Sequence, residues 1–325
     1  MALRLSRTGS AGAADAGREQ APARWVCAFL NNMPDSAFAA TERQFSDLLE
    51  AGAAADTVEL RRYTMEGVPR GERTAPLIAD GYSPIGQLWE HPPPDLLIVT
   101  GSEPLAPAIE DEPYWNDLHA LLTWGRENVR SVLLSCLAAH AALLVFDGLE
   151  RTRLPAKCTG VFPQDVDEKH HLVACVDREV VLPHSRFNTV PLEGVRDAGY
   201  EVALSSQRTD WAVASKVFGR SEVVLVQGHP EYGPPSLLLE YHRDVRRYVN
   251  RERDGLPVLP VNCVDGQDWV DVQELQARLE NGERDPALLE TFPFSEATGR
   301  IQWHWRDTAV KLYRNWMAGV DSVRK

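Results

Sequence analysis

The sequence lacks the patterns that mark nucleic-acid-binding, membrane-spanning and secreted proteins. Its 325 residues carry a formal net charge of −13, so no excess of basic residues predicts a nucleic-acid partner. No apolar run approaches the roughly 18 residues needed to span a bilayer. Residues 1–24 contain no apolar stretch typical of a secretory signal. We therefore expect a cytoplasmic protein with neither a nucleic-acid nor a membrane partner.

Cysteine is scarce, and the cysteines that are present lie far apart. The five are Cys27, Cys136, Cys158, Cys175 and Cys263, and none forms a C-x-x-C pair. This spacing suggests neither a zinc site nor a disulfide framework. We expect no metal, and the absence of a disulfide pattern fits a reducing compartment.

What is present is an alternation of short apolar runs with segments of helical periodicity. Residues 95–100, 132–135 and 223–227 predict buried strands, whereas residues 39–51 and 114–127 predict helices. Hydrophobic residues make up 44% of the chain and charged residues 25%, as in ordinary globular proteins. The alternation predicts an α/β fold with a mostly parallel sheet and helices on both faces.

Other segments depart from this alternation. Residues 70–82 are polar and irregular, and residues 250–262 are rich in proline and charge, as in a surface linker. Within residues 160–215, short strands such as 171–175 and 201–205 predict an antiparallel excursion from the main sheet.

These patterns divide the chain into three parts. We expect a disordered extension over residues 1–24, one domain over residues 25–250 and a C-terminal extension over residues 251–325. The extension repeats apolar side chains at helical spacing, namely Trp305, Ala309, Leu312 and Trp316. Such a stripe is more often packing than a ligand site, so the extension should pack on the core or in a homodimer interface.

Cys136 occupies the position of a catalytic nucleophile in an α/β enzyme. It follows the strand predicted over residues 132–135 and precedes a helix predicted over residues 137–144. A cysteine in this turn would be exposed at the carboxyl edge of the sheet, where the helix dipole favours a thiolate. The free N–H groups of the first helical turn could also bind an oxyanion.

His229 and Glu231 follow the apolar strand predicted over residues 223–227. A histidine at a strand end could serve as a base, and the nearby carboxylate could orient it. A lone cysteine is more often an inert core residue, and a lone histidine is often structural. Cys136 and His229 both follow apolar strands that lie far apart in sequence, as the partners of a triad usually do.

Short motifs from about Phe29 to Met317 carry a family resemblance. In chain order they are Leu30-Asn31-x-Met33-Pro34, Thr41-Glu42-x-Gln44-Phe45, Thr100-Gly101, Tyr114-Trp115, Cys136, Gly160-Val161, Pro183-His184-Ser185-Arg186, Gly228-His229-Pro230-Glu231-Tyr232 and Glu240-x-x-Arg243-Asp244. With these motifs in this order, the chain resembles the homoserine O-acyltransferases of methionine biosynthesis, in the homoserine O-succinyltransferase branch. The resemblance implies a fold like that of the class I glutamine amidotransferases.

The resemblance also implies a two-step acyl transfer, with acyl-CoA as co-substrate and no other cofactor. Cys136 would take the acyl group from acyl-CoA, and the hydroxyl group of homoserine would then attack the thioester. His229 would take and return the proton while Glu231 holds the imidazole. Backbone N–H groups, including that of Leu137, would bind the oxyanion.

Residues for the acceptor also carry over from the family. Two arginines that hold the acceptor carboxylate match Arg186 and Arg243, and paired guanidinium groups suit a carboxylate. Glu240 matches the acidic partner of the ammonium group, although Glu240 and Arg243 would equally fit a solvated ion pair along one helix face. Ser185 matches a hydroxyl near the acceptor and Lys157 a lysine of the active site, and either could instead be an ordinary loop residue.

The chain departs from the family pattern in two places. The lysine expected just after Met33-Pro34 is missing from residues 35–37, and Arg43 is the nearest cation in sequence. Leu105 stands near the position where a small residue or a glutamate helps to select the acyl group, and its bulk argues against a long, charged group. The donor therefore remains succinyl-CoA or acetyl-CoA, and the acceptor homoserine, serine or another hydroxy amino acid.

Two other functions fit parts of the pattern. A glutamine amidotransferase-type hydrolase uses the same order of cysteine, histidine and glutamate. Ser135-Cys136-Leu137, however, lacks the glycines that usually flank the nucleophile in such enzymes. A binding protein that senses an amino acid or acyl-CoA would explain the missing lysine, but the intact Cys136, His229 and Glu231 argue against it.

Overall fold

The apolar runs and helical segments fold into alternating strands and helices in the computed structural model, which describes residues 3–6, 22–291 and 294–322. The strands of these ranges are β1 (Leu3–Ser6), β2 (Trp25–Leu30), β3 (Val58–Thr64), β4 (Ser83–Pro84), β5 (Leu96–Val99), β6 (Ser131–Ser135), β7 (Thr152–Val166), β8 (Val180–Thr189), β9 (Glu201–Ser206), β10 (Asp210–Phe218) and β11 (Ser221–Val226). The helices are α1 (Phe38–Ala53), α2 (Ala75–Gly81), α3 (Gly86–Trp89), α4 (Trp115–Asn128), α5 (Leu137–Asp147), α6 (Leu192–Asp197), α7 (Ser236–Val249), α8 (Gly266–Glu280), α9 (Leu288–Thr291), α10 (Phe294–Thr298) and α11 (Arg306–Ser322).

The strands of the described ranges form one mixed sheet in the order β1-β3-β2-β5-β6-β11-β10-β9-β7-β8, with β4 paired to β3. The pairs from β1 to β11 are parallel, and the pairs from β11 to β8 are antiparallel. The predicted α/β fold with a mostly parallel sheet is therefore confirmed. The antiparallel excursion continues the same sheet beyond β11.

Two apolar cores lie on opposite faces of this sheet, because successive side chains of a strand point in opposite directions. Phe29 of β2 and Ile98 of β5 belong to one core, where Phe29 contacts Phe45 of α1 with ring centroids 5.6 Å apart. Leu30 and Val99, their neighbours along the same strands, belong to the other core together with α4 and α5. Helices thus cover both faces, as predicted.

The register of the central strands determines where the site can form. β6 and β11 pair in parallel with Ser135 opposite Val226. Both strands therefore end side by side, and the residues that follow them meet at one edge. Cys136 and His229, which are 93 positions apart in the chain, emerge at this carboxyl edge.

The described part of the C-terminal segment, residues 251–291 and 294–322, runs back over the core that contains α1. α11 packs against α1, and the indole N–H of Trp316 donates a 2.7 Å hydrogen bond to Ser131 of β6. The other members of the apolar stripe, Trp305, Ala309 and Leu312, are also buried. Val261 bridges to Gly160 of β7, so the proline-rich stretch crosses the sheet edge before α8 begins.

The disordered extension predicted over residues 1–24 is wrong for Leu3–Ser6. These residues form β1, which pairs in parallel with β3 and places Leu3 opposite Val58. Leu3 is buried in the same core as α1. Because β1 depends on an open edge of β3, its own short sequence could not reveal it. Residues 7–21 lie outside the described residues.

Two local predictions are also corrected. The strand predicted over residues 171–175 is instead a 3-10 turn, His171–Val173, in which the ring of His170 accepts a hydrogen bond from the amide of Leu172. The segment predicted to be irregular over residues 70–82 contains α2, which has a proline in its first turn. α2 is mostly exposed, so it carries no apolar periodicity to reveal it. No helix of the described residues has the length and apolar character needed to cross a membrane.

Candidate active site

Cys136 lies in the turn between β6 and α5. Its backbone angles, φ 50° and ψ −108°, fall outside the regions that L-residues usually occupy. Its amide donates a 2.7 Å hydrogen bond to the carbonyl oxygen of Val226 in β11, and α5 begins at the next residue. This sharp turn holds the half-buried side chain beside the first turn of α5, where free N–H groups and the positive dipole end suit a negative charge.

Gly101 brings a second backbone segment against this turn. A Cβ atom placed on Gly101 would lie 3.2 Å from Cβ of Cys136 and 3.4 Å from the amide nitrogen of Leu137. A methyl group would therefore crowd the nucleophile. The amide of Leu137 is in the first turn of α5 and has no carbonyl partner within the helix. The space beside it is suited to a developing oxyanion.

His229 and Glu231 form the base and orienter pair that the sequence predicts. Nδ1 of His229 lies 2.7 Å from Oε1 of Glu231, and both side chains are buried. The amide of His229 donates a 2.8 Å hydrogen bond to the carbonyl of Pro183, which fixes the loop after β11 to β8. The ring of Tyr232 stacks on the imidazole with centroids 4.2 Å apart. The imidazole therefore has little freedom to turn.

The electrostatics of this pair favour a protonated imidazole. Burial alone would lower the pKa of His229, but the charge of Glu231, the hydrogen bond that the imidazole donates to Glu231 and the nearby Cys136 raise that pKa well above its usual value. Nε2 of His229 has no hydrogen-bond partner of ordinary geometry in the described part of the chain. This nitrogen faces the cavity that Cys136 also lines, so it is available for proton transfer.

All nine site residues predicted from the sequence line this one cavity: Cys136, Leu137, Lys157, Ser185, Arg186, His229, Glu231, Glu240 and Arg243. They come from β6, α5, β7, β8, α7 and the loop after β11. The fold thus brings them together, while their individual roles remain predictions.

Glu240 is the centre of the polar network at one end of the cavity. Its Oε1 accepts a 2.5 Å hydrogen bond from the hydroxyl of Tyr232, and its Oε2 accepts one from the hydroxyl of Ser185. Nζ of Lys157 lies 3.5 Å from Oε2. Burial would raise the pKa of Glu240, but the charge of Lys157 and these hydrogen bonds lower it overall. Glu240 is therefore held as a carboxylate, which could bind an ammonium group.

Asp244 links the remaining cations of this end. Its Oδ2 is 3.0 Å from Nζ of Lys157 and its Oδ1 is 3.0 Å from a terminal nitrogen of Arg243. Arg253 lies 3.8 Å from the same Oδ1. Arg243 thus pairs with the buried Asp244, and not with Glu240 in a solvated pair along the helix.

Arg186 presents a buried charge to the cavity. Its terminal nitrogens donate to the carbonyl oxygens of Asn188 at 2.9 Å and Thr209 at 2.6 Å, while Nε has no partner among the described residues. Burial lowers the pKa of Arg186. Two carbonyl groups fix the guanidinium plane without neutralising it, so an anionic substrate group could complete the site.

The structure shows where the two departures from the family pattern lie, namely the missing lysine after Pro34 and the leucine at position 105. Asp35, in place of the family lysine, accepts a 2.8 Å hydrogen bond from the amide of Gly71 and lies outside the cavity. Arg43 is exposed and does not line the cavity either. Leu105 is 63% exposed and lines the neighbouring groove, not the cavity that contains Cys136. Its position therefore gives no support to the restriction on the acyl group that the sequence suggested.

Sequence reasoning missed several residues that line the cavity or support its lining. Asp244 and Tyr232 were noted only as parts of motifs, although each holds a predicted site residue in place. Arg151 also lines the cavity, and nothing in its local sequence marks it. Asp244 meets Lys157 across 87 residues and Arg151 meets Pro107 across 44, and no local pattern encodes such contacts.

A groove rich in cations continues from the cavity over Phe187. The cationic groups of Arg153, Lys157 and Arg253 lie 5.4 Å, 5.7 Å and 5.1 Å from the centre of its ring. Arg247, which pairs with Glu103 at 2.5 Å, lines the same groove. A flat ring among several cations suits a ligand with an extended chain and anionic groups.

Comparison with known proteins places this geometry in one family. The family model described as homoserine O-succinyltransferase matches residues 12–322. A homoserine O-succinyltransferase of Rhodopseudomonas palustris is 38% identical over 295 residues, covering 90% of this chain and 87% of that protein. One of Bradyrhizobium japonicum is 35% identical over 306 residues, covering 92% of this chain and 91% of the relative.

Among solved structures, a glutamine amidotransferase from Methylobacillus flagellatus aligns with 92% of this chain and 96% of its own, at 13% identity and a TM-score of 0.49. The glutaminase domain of CTPS from Trypanosoma brucei with bound acivicin covers 63% of this chain and 86% of its own. Its identity is 14% and its TM-score 0.44.

Proposed function

We propose a function from one premise, namely that this chain belongs to the homoserine O-succinyltransferase family. The chain acylates the hydroxyl group of homoserine, with succinyl-CoA as the donor, in amino-acid biosynthesis. Relatives at 33–38% identity over about nine-tenths of the chain all bear the name homoserine O-succinyltransferase, which supports this reaction over acetyl transfer. The predicted homodimer stays a prediction.

The observation that carries the chemistry is the placement of Cys136 beside the buried His229–Glu231 pair. In the first step the thiolate of Cys136 attacks the thioester carbonyl of succinyl-CoA, forming a new carbon–sulfur bond. The intermediate collapses, the bond to the sulfur of CoA breaks, and the imidazolium of His229 protonates the departing CoA thiolate. The amide of Leu137 stabilises the oxyanion of each tetrahedral intermediate.

In the second step the neutral imidazole of His229 takes the hydroxyl proton of homoserine as the oxygen attacks the acyl-enzyme. The carbon–sulfur bond to Cys136 then breaks, which regenerates the thiolate and the imidazolium and releases O-succinylhomoserine. Glu231 stabilises the imidazolium of the free enzyme and orients the neutral imidazole in the acyl-enzyme. The exchange needs no redox partner, because a thioester is converted to an oxygen ester without any change of oxidation state.

The acceptor fits the polar end of the cavity. Glu240 binds the ammonium group of homoserine, and Arg186 with Arg243 binds its carboxylate. CoA lies along the groove over Phe187, where the cations suit its phosphate groups. A hydroxy amino acid of another length, such as serine, would use the same contacts. Assays with serine and homoserine as acceptors distinguish the two substrates.

Intact mass measurement after incubation with succinyl-CoA tests this function. The unmutated protein should release CoA and gain the mass of one succinyl group, and homoserine should then remove that mass. Cys136→Ala should lose both signals. Cys175→Ala, which changes an exposed cysteine outside the cavity, should keep them. Mass gain that persists in Cys136→Ala would refute the nucleophile, and glutamine hydrolysis without acylation would favour the hydrolase.

A further inference from the structure

The cavity contains more cationic side chains than carboxylate partners for them. Lys157, Arg243 and Arg253 all approach Asp244, and Lys157 also approaches Glu240. These three cations therefore have compensating charges before substrate binds.

Arg151 and Arg186 differ from these three. Neither forms an ion pair with a carboxylate of residues 3–6, 22–291 or 294–322, and their hydrogen bonds go to backbone carbonyl oxygens. A guanidinium group held by neutral acceptors keeps its full charge available to an anion. The cavity thus has two arginines that form no ion pair with a carboxylate of the described residues.

The two arginines are held by different segments of the chain. Arg186 belongs to β8, the strand that carries Ser185, whose hydroxyl contacts Glu240 at the acceptor end. Arg151 lies just before β7 and donates a 2.9 Å hydrogen bond to the carbonyl oxygen of Pro107. Residues 102–107 continue directly from Gly101, which contacts Cys136. Arg151 is therefore fastened to the loop that begins beside the nucleophile.

Among the described carboxylates, Glu112 has the largest charge effect on Arg151, but the two form no ion pair, and Oε2 of Glu112 has no hydrogen-bond partner in that part of the chain. Oε1 of Glu112 accepts hydrogen bonds from the amides of Leu105 at 2.8 Å and Ala106 at 2.9 Å. Burial lowers the pKa of Arg151, while the charges of Glu112, Tyr114 and Cys136 oppose that shift. Arg151 is thus within electrostatic reach of the nucleophile and has no ion pair of its own.

A succinyl transfer brings two carboxylates into this cavity, one on the amino acid and one at the far end of the acyl group. An acetyl transfer brings only the first. We propose that Arg151 binds the distal carboxylate of the succinyl group while that group is attached to Cys136, and thereby selects succinyl over uncharged acyl groups. This inference rests on the proposed acyl transfer and names the residue that determines its donor.

The test compares two donors of equal carbon number. Succinyl-CoA and butyryl-CoA both carry four-carbon acyl chains, but only the first ends in a carboxylate. Single-turnover acylation of Cys136 is measured by CoA release for each donor at limiting concentration. Arg151→Gln should slow acylation by succinyl-CoA about 10- to 100-fold, as expected for a lost charge-assisted hydrogen bond, and change butyryl-CoA less than about threefold.

Arg153→Gln is the matched control, since it removes an arginine of the same strand that lies over Phe187. It should change the rates with both donors by the same factor, because both carry CoA. Arg151→Lys should recover part of the preference for succinyl-CoA, since the charge is retained. Two other effects of the substitution would slow acylation by both donors equally. One is displacement of the loop after loss of the contact with Pro107, and the other is loss of a role for Arg151 in stabilising the oxyanion.

The outcomes separate this inference from the proposed function. If neither donor acylates the unmutated protein, the acyl-transfer proposal itself fails. If both donors acylate it, and Arg151→Gln leaves their ratio unchanged, acyl transfer stands and the role of Arg151 is refuted. Equal loss with both donors also refutes it. Only a selective loss with succinyl-CoA supports it.

Discussion

Cys136 adopts backbone angles that cost a non-glycine residue about 1–3 kcal/mol. The surrounding structure maintains them through the amide contact to Val226 and the start of α5. The result is a sulfur placed beside free helical N–H groups and the imidazole of His229. At the scale of single residues, the unusual backbone conformation of Cys136 therefore positions the nucleophile and does not stabilise the turn.

The first prediction at this scale concerns Glu231→Gln. The carboxylate raises the pKa of His229 well above its usual value, so the pair stabilises the folded state fully at pH values below about 6.5, the pKa of an unperturbed histidine. This contribution is lost as the pH rises through the raised, folded-state pKa. The loss of unfolding free energy in Glu231→Gln should therefore be largest at low pH and diminish in alkaline solution, as measured by urea unfolding across a pH series.

The same variant should slow acyl transfer less than His229→Asn, which removes the base and should slow it on the order of 10²-fold or more. His171→Asn is the control, since His171 lies outside the cavity and pairs with Glu222 at 2.8 Å. A stability difference for Glu231→Gln that is independent of pH would contradict a protonated His229 in the resting protein.

At the scale of elements, α7 supplies one wall of the acceptor end. Glu240, Arg243 and Asp244 come from successive turns of this helix, and Lys157 of β7 reaches two of their carboxylates. The helical period predicts that Glu240 and Arg243 share a face. It cannot predict that Asp244 is the buried group that orients Arg243.

Arg243→Ala should separate the two half-reactions. Acylation of Cys136 by succinyl-CoA should change little, since Arg243 contacts the acceptor end. Transfer from the acyl-enzyme to homoserine should fall by about 10-fold or more, because the substrate carboxylate loses charge-assisted hydrogen bonds. Rapid-quench measurement of each step gives the two rates.

Arg246→Ala is the control for this measurement. Arg246 lies on the same helix but is exposed and does not line the cavity, so both steps should keep their rates. Equal damage to both steps in Arg243→Ala would instead place Arg243 in the CoA site or in the framework of the fold.

At the scale of the whole molecule, the C-terminal helix completes one of the two cores. α11 covers α1 and reaches the central strand β6 through Trp316, which is 1% exposed. β6 leads directly into Cys136. The tail therefore supports the strand that positions the nucleophile.

Trp316→Phe should lower the free energy of unfolding, since it leaves the hydroxyl of Ser131 without its indole donor and opens a small cavity. We expect a loss of about 1–3 kcal/mol from the hydrogen bond, and Trp316→Ala should cost about 3–5 kcal/mol. Val217→Ala, at a side chain that is 60% exposed, should change little. Urea unfolding measures all three, and a midpoint that depends on protein concentration would instead indicate that α11 stabilises contacts between chains.

The sequence by itself determined the elements whose signals are local. Apolar runs and helical periods located β5, β6, β11, α4 and α5 to within a few residues. Strand ends identified Cys136 and His229 as neighbours, because the carboxyl ends of parallel strands meet at one edge. The resemblance to a family supplied Arg186, Arg243 and Glu240, which the fold brings to the same cavity.

Only the tertiary structure decided which side chains complete the site and which do not. Arg151 reaches the cavity through a contact with Pro107, and Lys157 meets Asp244 across 87 residues of chain. Leu105 lines the neighbouring groove and not the cavity, although its position in the sequence suggested otherwise. β1 forms only because β3 offers it an open edge. In each case the deciding interaction joins segments far apart in sequence, and its geometry exists only once the sheet and its covering helices have packed.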